Sequence, residues 1–131
     1  MLSTSPSLNL IPKVFDAHCH LQMISNRQAI QNFIELNPLN RFGVCGTKLE
    51  DWDYVITLNK LYPAQINSGI GVHPYTAHLH DSVDVEAKIR RLLIDDTSLF
   101  VGEIGIDKAW ITKETNKNEF DLQVIVQIEF S

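Results

Sequence analysis

The chain has 131 residues, 44% of them hydrophobic and 21% charged, and its 16 acidic and 11 basic residues leave a net charge of −5. This length suits one domain with a hydrophobic core, and the acidic balance excludes a broadly basic surface that coats nucleic acid. The two cysteines form no C-x-x-C pair and the sequence carries no secretory signal, which predicts a reducing cytoplasmic or nuclear location. The sequence also has no apolar run of the ~18–20 residues that span a bilayer, which predicts no membrane partner.

Apolar runs of strand length alternate along the chain with segments of helical spacing, after a Ser-rich stretch over residues 1–12 that is predicted to be a flexible leader. Such alternation needs crossover connections and therefore predicts a parallel sheet. Four strand–helix units form either a small open α/β sheet or one half of a TIM-type (β/α)8 barrel, and periodicity alone leaves both open. The predicted elements are strand Val14–His20, helix Arg27–Leu36, strand Arg41–Thr47, helix Leu49–Leu61, strand Gln65–Val72, helix Val83–Ile94, strand Leu99–Ile106 and helix Glu119–Phe130.

The first predicted strand ends in the residues Asp-Ala-His-Cys-His. Because residues two apart on a strand point to the same face, His18 and His20 are expected to project together, while Cys19 points away. Two neutral imidazoles close together are natural ligands for Zn²⁺ or a similar ion. A histidine pair without a metal is the alternative, and the strand-end position and the preceding Asp16 favour the metal.

Two further strand ends carry ionisable side chains. The third strand ends at His73, before a proline, where a turn residue hydrogen-bonded to the backbone is the favoured interpretation of that residue alone. The fourth strand carries Glu103 among apolar neighbours. An unpaired buried carboxylate costs several kcal/mol, so its burial predicts a cation beside it. An exposed edge-strand glutamate is the alternative and fits the apolar neighbours poorly.

Together the segments FDAHCH, GVHPY and VGEIGID resemble the TatD family of metal-dependent hydrolases, within the wider amidohydrolase-like barrels. The resemblance runs from the first predicted strand to the end of the chain. It implies that His18 and His20 are metal ligands and that Glu103 bridges two metal ions. It also implies that His73 lines the pocket near the substrate phosphate and that Asp107 orients the loop or the substrate.

The resemblance also implies an activity. It is that of a deoxyribonuclease-like hydrolase in which divalent ions (Mg, Mn or Zn, two per complete site) activate a water that cleaves the phosphodiester bonds of DNA. The segment GEIGIDKAW is similar to a fungal branch described as interactors of a cell-cycle ubiquitin-ligase subunit, which implies such a partner.

The chain is shorter than the barrel that the resemblance implies, whose typical length is about 250 residues. Residues 13–131 are therefore expected to form the N-terminal half of a metal-dependent hydrolase barrel, with the general base and further ligands in the missing half. A truncated and inactive product is the favoured consequence, and self-association of two copies through exposed sheet edges is the alternative. His78 and His80, in the loop after the third strand, are expected to be solvated.

Three functions remain open at this point. The leading hypothesis is a TatD-type metal-dependent hydrolase that acts on DNA. The second is a non-catalytic interaction protein that retains half of the scaffold and binds a partner through its exposed edge or last helix. The third is an amide or ester hydrolase of the same superfamily, which shares the histidine pair, although GVHP and GEIGID favour the first hypothesis.

Overall fold

The computed structural model describes residues 14–107, in which four strands alternate with three α-helices. The predicted leader over residues 1–12 and the predicted helix Glu119–Phe130 lie outside the described residues. The elements are β1 (Phe15–Cys19), α1 (Arg27–Leu36), β2 (Arg41–Cys45), α2 (Trp52–Leu61), β3 (Ile66–Ile70), α3 (Ser82–Asp95) and β4 (Phe100–Val101), with short 3₁₀ helices at Leu21–Met23 and Pro74–Leu79.

The strands form one parallel sheet in the order β1-β2-β3-β4. A doubly wound sheet reverses its strand order at a switch point, whereas a TIM-type barrel keeps sequential strands as neighbours. The strand order therefore confirms the predicted parallel α/β sheet and identifies it as part of a TIM-type fold. Within residues 14–107, β1 and β4 are the two edges of the sheet.

Side-chain caps precede two of the helices: α1 begins at its predicted first residue, Arg27, and α3 begins at Ser82, one residue before the predicted start. The Asn26 carboxamide oxygen accepts the Ala29 N–H at 3.1 Å before α1, and Asp81 accepts the N–H groups of Val83 and Asp84 at 2.9 and 3.2 Å at the start of α3. Such caps satisfy N–H groups that have no partner inside the helix. None of the helices in the described range is both long and apolar enough to cross a membrane.

Helix α2 begins at Trp52, three residues later than the predicted start at Leu49. The cause is the Asp51 carboxylate, which accepts the N–H of Thr47 at 3.0 Å and that of Lys48 at 3.4 Å. These bonds hold residues 47–51 in a turn, because an aspartate side chain competes with the helical pattern for nearby N–H groups.

The hydrophobic core lies between the sheet and the helices. Trp52 is fully buried, and its indole N–H donates to the Gly71 carbonyl at 2.8 Å, so α2 is fastened to the end of β3. One cluster contains Trp52, Ile56, Ile70, Val72, Ala77, Val85, Ile89 and Leu99; a second contains Leu21, Ile30, Ile34, Phe42, Val44, Val55, Leu58 and Ile66.

The fourth strand is much shorter than predicted, and Glu103 follows it instead of lying inside it. The Gly102 N–H donates to the Ile70 carbonyl at 3.0 Å, and the Glu103 N–H donates to the Gly46 carbonyl at 3.1 Å. The chain therefore leaves β3 and crosses the carboxyl end of the sheet towards β2. The expectation of a buried strand holds only at its start, where Leu99 is 7% exposed, because Val101, Ile104 and Ile106 are 39%, 50% and 46% exposed.

The expectation that His78 and His80 are solvated is also wrong. The loop folds into the 3₁₀ helix Pro74–Leu79, whose Ala77 is fully buried, and only 4% of the His80 side chain is exposed. The His78 Nδ1 and the His80 Nε2 have no hydrogen-bond partner within residues 14–107. Burial lowers the pKa of His80, and the Glu50 carboxylate, 4.0 Å from its Nε2, opposes this effect.

Candidate metal centre

Three side chains converge at the carboxyl end of the sheet. His18 lies near the end of β1, His20 follows that strand, and Glu103 follows β4. The Nε2 atoms of the two histidines are 3.2 Å apart, and each is 3.1 Å from Oε2 of Glu103. The structure therefore brings together the three residues predicted as metal ligands, although β1 and β4 occupy opposite edges of the sheet.

The alternation of side chains along β1 places the two histidines on one side. Cys19, between them, packs instead against the core cluster around α1. Its burial raises the pKa of the thiol to about 11, so Cys19 stays protonated at neutral pH. The Asp16 carboxylate accepts the His18 N–H at 3.1 Å and fixes the backbone at this strand end.

The ring nitrogen of His20 that lies away from Glu103, Nδ1, is hydrogen-bonded to a backbone carbonyl. Its Nδ1 lies 2.8 Å from the Cys45 carbonyl oxygen, which can only accept a hydrogen bond. The neutral ring therefore carries its hydrogen on Nδ1, and the lone pair of Nε2 is directed at the cluster. Metal-binding histidines are commonly oriented in this way, by an N–H donated to a carbonyl or carboxylate.

His73 has the opposite arrangement. Its Nδ1 accepts the Tyr75 N–H at 3.1 Å, as expected for a turn residue before proline. The neutral ring therefore carries its hydrogen on Nε2, which lies 3.5 Å from Oε1 of Glu103. Toward the shared carboxylate His73 is thus a donor, whereas His20 presents a lone pair.

Gln22 supports the orientation of His20. Its side-chain amide donates to the Cys45 carbonyl at 2.7 Å, the same oxygen that the His20 ring uses, and to Asp51 Oδ2 at 3.2 Å. The amide therefore holds this carbonyl from a second direction and ties it to the start of α2.

Asp51 extends the same network to the loop that carries His73. It accepts both the N–H and the hydroxyl of Thr47, the latter at 2.7 Å. The Thr47 carbonyl in turn accepts the His73 N–H at 2.8 Å and the Thr76 hydroxyl at 2.6 Å. One carboxylate thus links the supports of both imidazoles.

Glycine is required where the Glu103 segment crosses the end of β3. A Cβ atom on Gly71 would collide with the carbonyl oxygen of Glu103 and lie 2.7 Å from the carbonyl carbon of Gly102. Backbone can approach so closely only because Gly71 has no side chain. This approach places the carboxylate against the imidazoles.

A comparison with known proteins shows to which family this chain belongs. Residues 15–128 match the family model described as TatD related DNase. The chain belongs to this family. It is 32% identical over 117 residues to an uncharacterised metal-dependent hydrolase of Mycoplasma genitalium, and 29% identical over 110 residues to one of Mycoplasma pneumoniae.

These matches cover 83% and 76% of this TatD family chain but only 44% and 41% of the two relatives. The chain therefore spans less than half the length of the curated relatives that it matches. No solved structure matches it.

The donor set of this TatD family chain fits a divalent metal ion. Two imidazole nitrogens and one carboxylate oxygen are common ligands of Zn²⁺ and of related divalent ions. The triad of His18, His20 and Glu103 is the only cluster of three such groups within residues 14–107 that could hold an ion. Only 18% of the Glu103 side chain is exposed, so a cation there would balance a largely shielded charge.

Asp107, the other residue implied by the TatD resemblance, reaches the site through Tyr75. A hydrogen bond from the Tyr75 hydroxyl to the Asp107 carboxylate raises the pKa of Tyr75. The Tyr75 ring lies edge to face with His73, with the ring centroids 4.7 Å apart. Asp107 thus contacts the loop that carries His73, and its role towards a substrate stays a prediction.

Sequence reasoning missed Gln22, Thr47 and Asp51. Gln22 lies on the 3₁₀ helix Leu21–Met23 after the strand, so the strand alternation that predicts the direction of His18 and His20 does not predict its direction. Asp51 directly precedes a helix and is typical of a cap, so nothing in the sequence distinguishes it from an ordinary helix start.

Proposed function

We propose that this chain contributes to the site of a metal-dependent hydrolase that cleaves the phosphodiester bonds of DNA. The observation that carries the proposal is the convergence of His18, His20 and Glu103 on one point at the carboxyl end of the sheet. The description of the matching family names a DNase, and the two relatives are named metal-dependent hydrolases. Together they favour phosphodiesters over the amides and esters of the wider superfamily.

We propose that the two histidines and Glu103 hold a divalent ion (Mg²⁺, Mn²⁺ or Zn²⁺), and that a complete site holds two. Such ions, when bound, polarise a phosphodiester and lower the pKa of a water so that it attacks near neutral pH. A chain with a net charge of −5 offers few cations of its own for a polyanion, so a metal also supplies attraction for the phosphate.

We propose that His73 and Asp107 serve the substrate and not the metal. His73 directs its Nε2 hydrogen at the Glu103 carboxylate, so it can donate to a phosphate oxygen that arrives beside that group. Asp107 holds the Tyr75 hydroxyl, and so fixes the loop from which His73 projects.

The test uses the 131-residue chain and a double variant, His18→Ala with His20→Ala. Calorimetry measures the binding of Mg²⁺, Mn²⁺ and Zn²⁺, and fluorescence anisotropy measures the binding of a single-stranded DNA oligonucleotide. We expect metal-dependent DNA binding that EDTA and the double variant both abolish. Unchanged metal affinity in the double variant, or DNA binding indifferent to EDTA, would contradict the proposal.

Substrate class is tested separately with two chromogenic probes. Because the chain spans less than half the length of its relatives, the binding of the two probes is measured: we expect bis(4-nitrophenyl) phosphate to bind in a manner that depends on the histidine pair, and 4-nitrophenyl acetate to show no such dependence. The reverse preference would favour an amide or ester hydrolase of the same superfamily.

A second function, a non-catalytic interaction protein, is favoured by the exposed edge of the sheet. Val14 and Phe15 at β1 are 55% and 57% exposed, and unpaired edge strands readily pair with other chains. We propose self-association through this edge as its simplest form. Analytical ultracentrifugation in EDTA should then show a dimer that Phe15→Lys converts to a monomer, whereas a monomeric wild type would contradict this alternative.

We also propose a reducing compartment, the cytoplasm or nucleus. The two cysteines are free, and burial raises the pKa of Cys45, like that of Cys19, to about 11. Protonated and largely shielded thiols suit an environment in which disulfides do not form.

A further inference from the structure

A cavity of about 240 Å³ opens directly beside the candidate metal centre. We propose that it binds one nucleobase of the substrate by its flat face, without distinguishing the base. This inference rests on the proposed phosphodiester substrate and adds a binding site for the group next to the phosphate. The cavity is lined by His20, Met23, Thr47, His73, Tyr75 and Thr76.

The position of the cavity links it to the reacting group. Two of its walls, His20 and His73, are the imidazoles whose Nε2 atoms face Glu103. A phosphate held at the metal centre is therefore separated from the cavity by no more than an imidazole ring. The cavity is therefore adjacent to the position that a sugar and base attached to that phosphate would occupy.

The polar groups of the cavity wall are already engaged. The Thr47 hydroxyl donates to Asp51 at 2.7 Å, and the Thr76 hydroxyl donates to the Thr47 carbonyl at 2.6 Å. The Tyr75 hydroxyl is bonded to Asp107. None of these three hydroxyl hydrogens is left to recognise the edge of a base, and the remaining donor of the wall, His73 Nε2, is directed at Glu103. Contact with a base is therefore made through methyl groups, a thioether and a ring face.

The cavity wall nevertheless exposes apolar side-chain surface to solvent. Met23 is 70% exposed and Tyr75 is 42% exposed, and both line the cavity. The edge-to-face contact between Tyr75 and His73 holds the aromatic wall in one orientation. A rigid ring beside a flexible thioether suits a planar aromatic ligand.

The chemistry selects a nucleobase for this cavity. Its volume lies below the about 300–1,000 Å³ of cavities for drug-sized ligands, so it accommodates a single ring system. Stacking on an aromatic side chain tolerates any base, because every base has a π face. Because the hydroxyl hydrogens are engaged and the His73 donor faces Glu103, recognition through the ring face predicts binding that is independent of DNA sequence.

The experiment compares two probes that differ only in the base. Calorimetry with Zn²⁺ present measures the affinity of the chain for dAMP and for deoxyribose 5-phosphate. We expect dAMP to bind about tenfold more tightly, as stacking of one base on an aromatic side chain supports. TMP should show a similar gain, because the cavity does not read the base edge.

Four variants assign the gain in affinity to the apolar wall of the cavity. Tyr75→Ala should remove the preference for dAMP, while Tyr75→Phe keeps it because the ring face remains. Leu79→Ala is the matched control, since Leu79 is 65% exposed on the same 3₁₀ helix and does not line the cavity. Met23→Ala gives a second test that does not disturb the Tyr75 hydrogen bond, and it should weaken the preference.

The outcomes separate this inference from the proposed function. Equal affinities for the two probes, or a dAMP preference that survives both Tyr75→Ala and Met23→Ala, would overturn the base site alone. Deoxyribose 5-phosphate that fails to bind in a Zn²⁺-dependent manner would instead overturn the metal centre. A preference for one base by more than about tenfold would contradict recognition through the face only.

Discussion

Two imidazoles at the carboxyl end of the sheet face the same carboxylate in opposite states. The Nδ1 of His20 donates to the Cys45 carbonyl, whereas that of His73 accepts the Tyr75 N–H. The Nε2 of His20 therefore offers a lone pair toward Glu103, whereas the Nε2 of His73 offers a hydrogen. The hydrogen bond on the far side of each ring decides which histidine can be a ligand.

The supports of the two rings also differ. His20 depends on a carbonyl that a second donor, Gln22, holds in place, and its partners come from the neighbouring strand. His73 depends on its own turn, two residues along the chain. The ring orientation of His20 should therefore respond to changes at Cys45 and Gln22, whereas the ring of His73 is oriented within its own turn, whose backbone the Thr47 carbonyl also holds.

The largest expected effect is loss of the metal in the double variant His18→Ala with His20→Ala. Because it removes two of three ligand atoms, we expect Zn²⁺ affinity to fall by more than about 100-fold, beyond the range seen for outer partners of ligands. Calorimetry measures the change. A Zn²⁺ affinity within threefold of wild type, a difference of about 0.7 kcal/mol, would contradict the assignment of His18 and His20 as ligands and so the contrast between His20 and His73.

A smaller effect is expected from Gln22→Leu. The Cys45 carbonyl then loses one of its two donors and His20 is less well oriented, so Zn²⁺ affinity should fall by about tenfold. Gln28→Leu is the matched control, because Gln28 is exposed on α1 and bonds only to Asn32 in the described contacts. Equal behaviour of the two variants would show that the carbonyl needs no second donor.

His73→Asn should separate metal binding from substrate binding, because the shorter side chain keeps an acceptor for the Tyr75 N–H and has no donor at the position of Nε2. We expect Zn²⁺ affinity to change by less than about threefold, because His73 presents a hydrogen and not a lone pair. Affinity for deoxyribose 5-phosphate should fall by about tenfold, in the range of a hydrogen bond to a charged group. A large loss of Zn²⁺ affinity would place His73 among the ligands and contradict the comparison.

The smallest expected effect is on the pH dependence of stability, and it comes from His80, a histidine whose side chain is buried outside the candidate metal centre. Burial lowers its pKa, although Glu50 and Asp51 raise it, while Lys48 and His78 add to the decrease. The unfolded chain therefore binds a proton more readily, so this contribution to stability is present above about pH 6.5 and is lost as pH falls towards the lowered pKa.

Urea denaturation between about pH 7.5 and pH 5.5 measures this loss. His80→Leu should reduce the dependence of unfolding free energy on pH, because the side chain no longer titrates. Glu50→Gln should increase it, since the carboxylate that favours the protonated ring is gone. Identical pH dependence in wild type and His80→Leu would show that His80 makes no contribution.

The sequence predicted some features of the molecule closely. Helix α1 has the predicted bounds because Asn26 is a local cap, and the histidine pair projects as predicted because strand alternation is local. The length of β4 was predicted wrongly, because the Gly102 and Glu103 N–H groups bond to carbonyls of β3 and of the segment after β2.

The state of the His20 imidazole was beyond the sequence for the same reason, whereas the bond of His73 to its own turn was predicted. The partner of His20 is 25 residues away, and only the register between β1 and β2 brings its carbonyl to the ring. Asp51 joins two loops by hydrogen bonds that no spacing encodes. Local signals thus identify which residues carry the chemistry, and long-range contacts decide what each residue does.

The most direct test is ¹⁵N NMR of the histidine side chains during a Zn²⁺ titration. The account predicts that His18 and His20 bind through Nε2, that His20 keeps its hydrogen on Nδ1, and that His73 keeps its hydrogen on Nε2 throughout. Metal-bound shifts at the His73 Nε2, or none at the His20 Nε2, would contradict it.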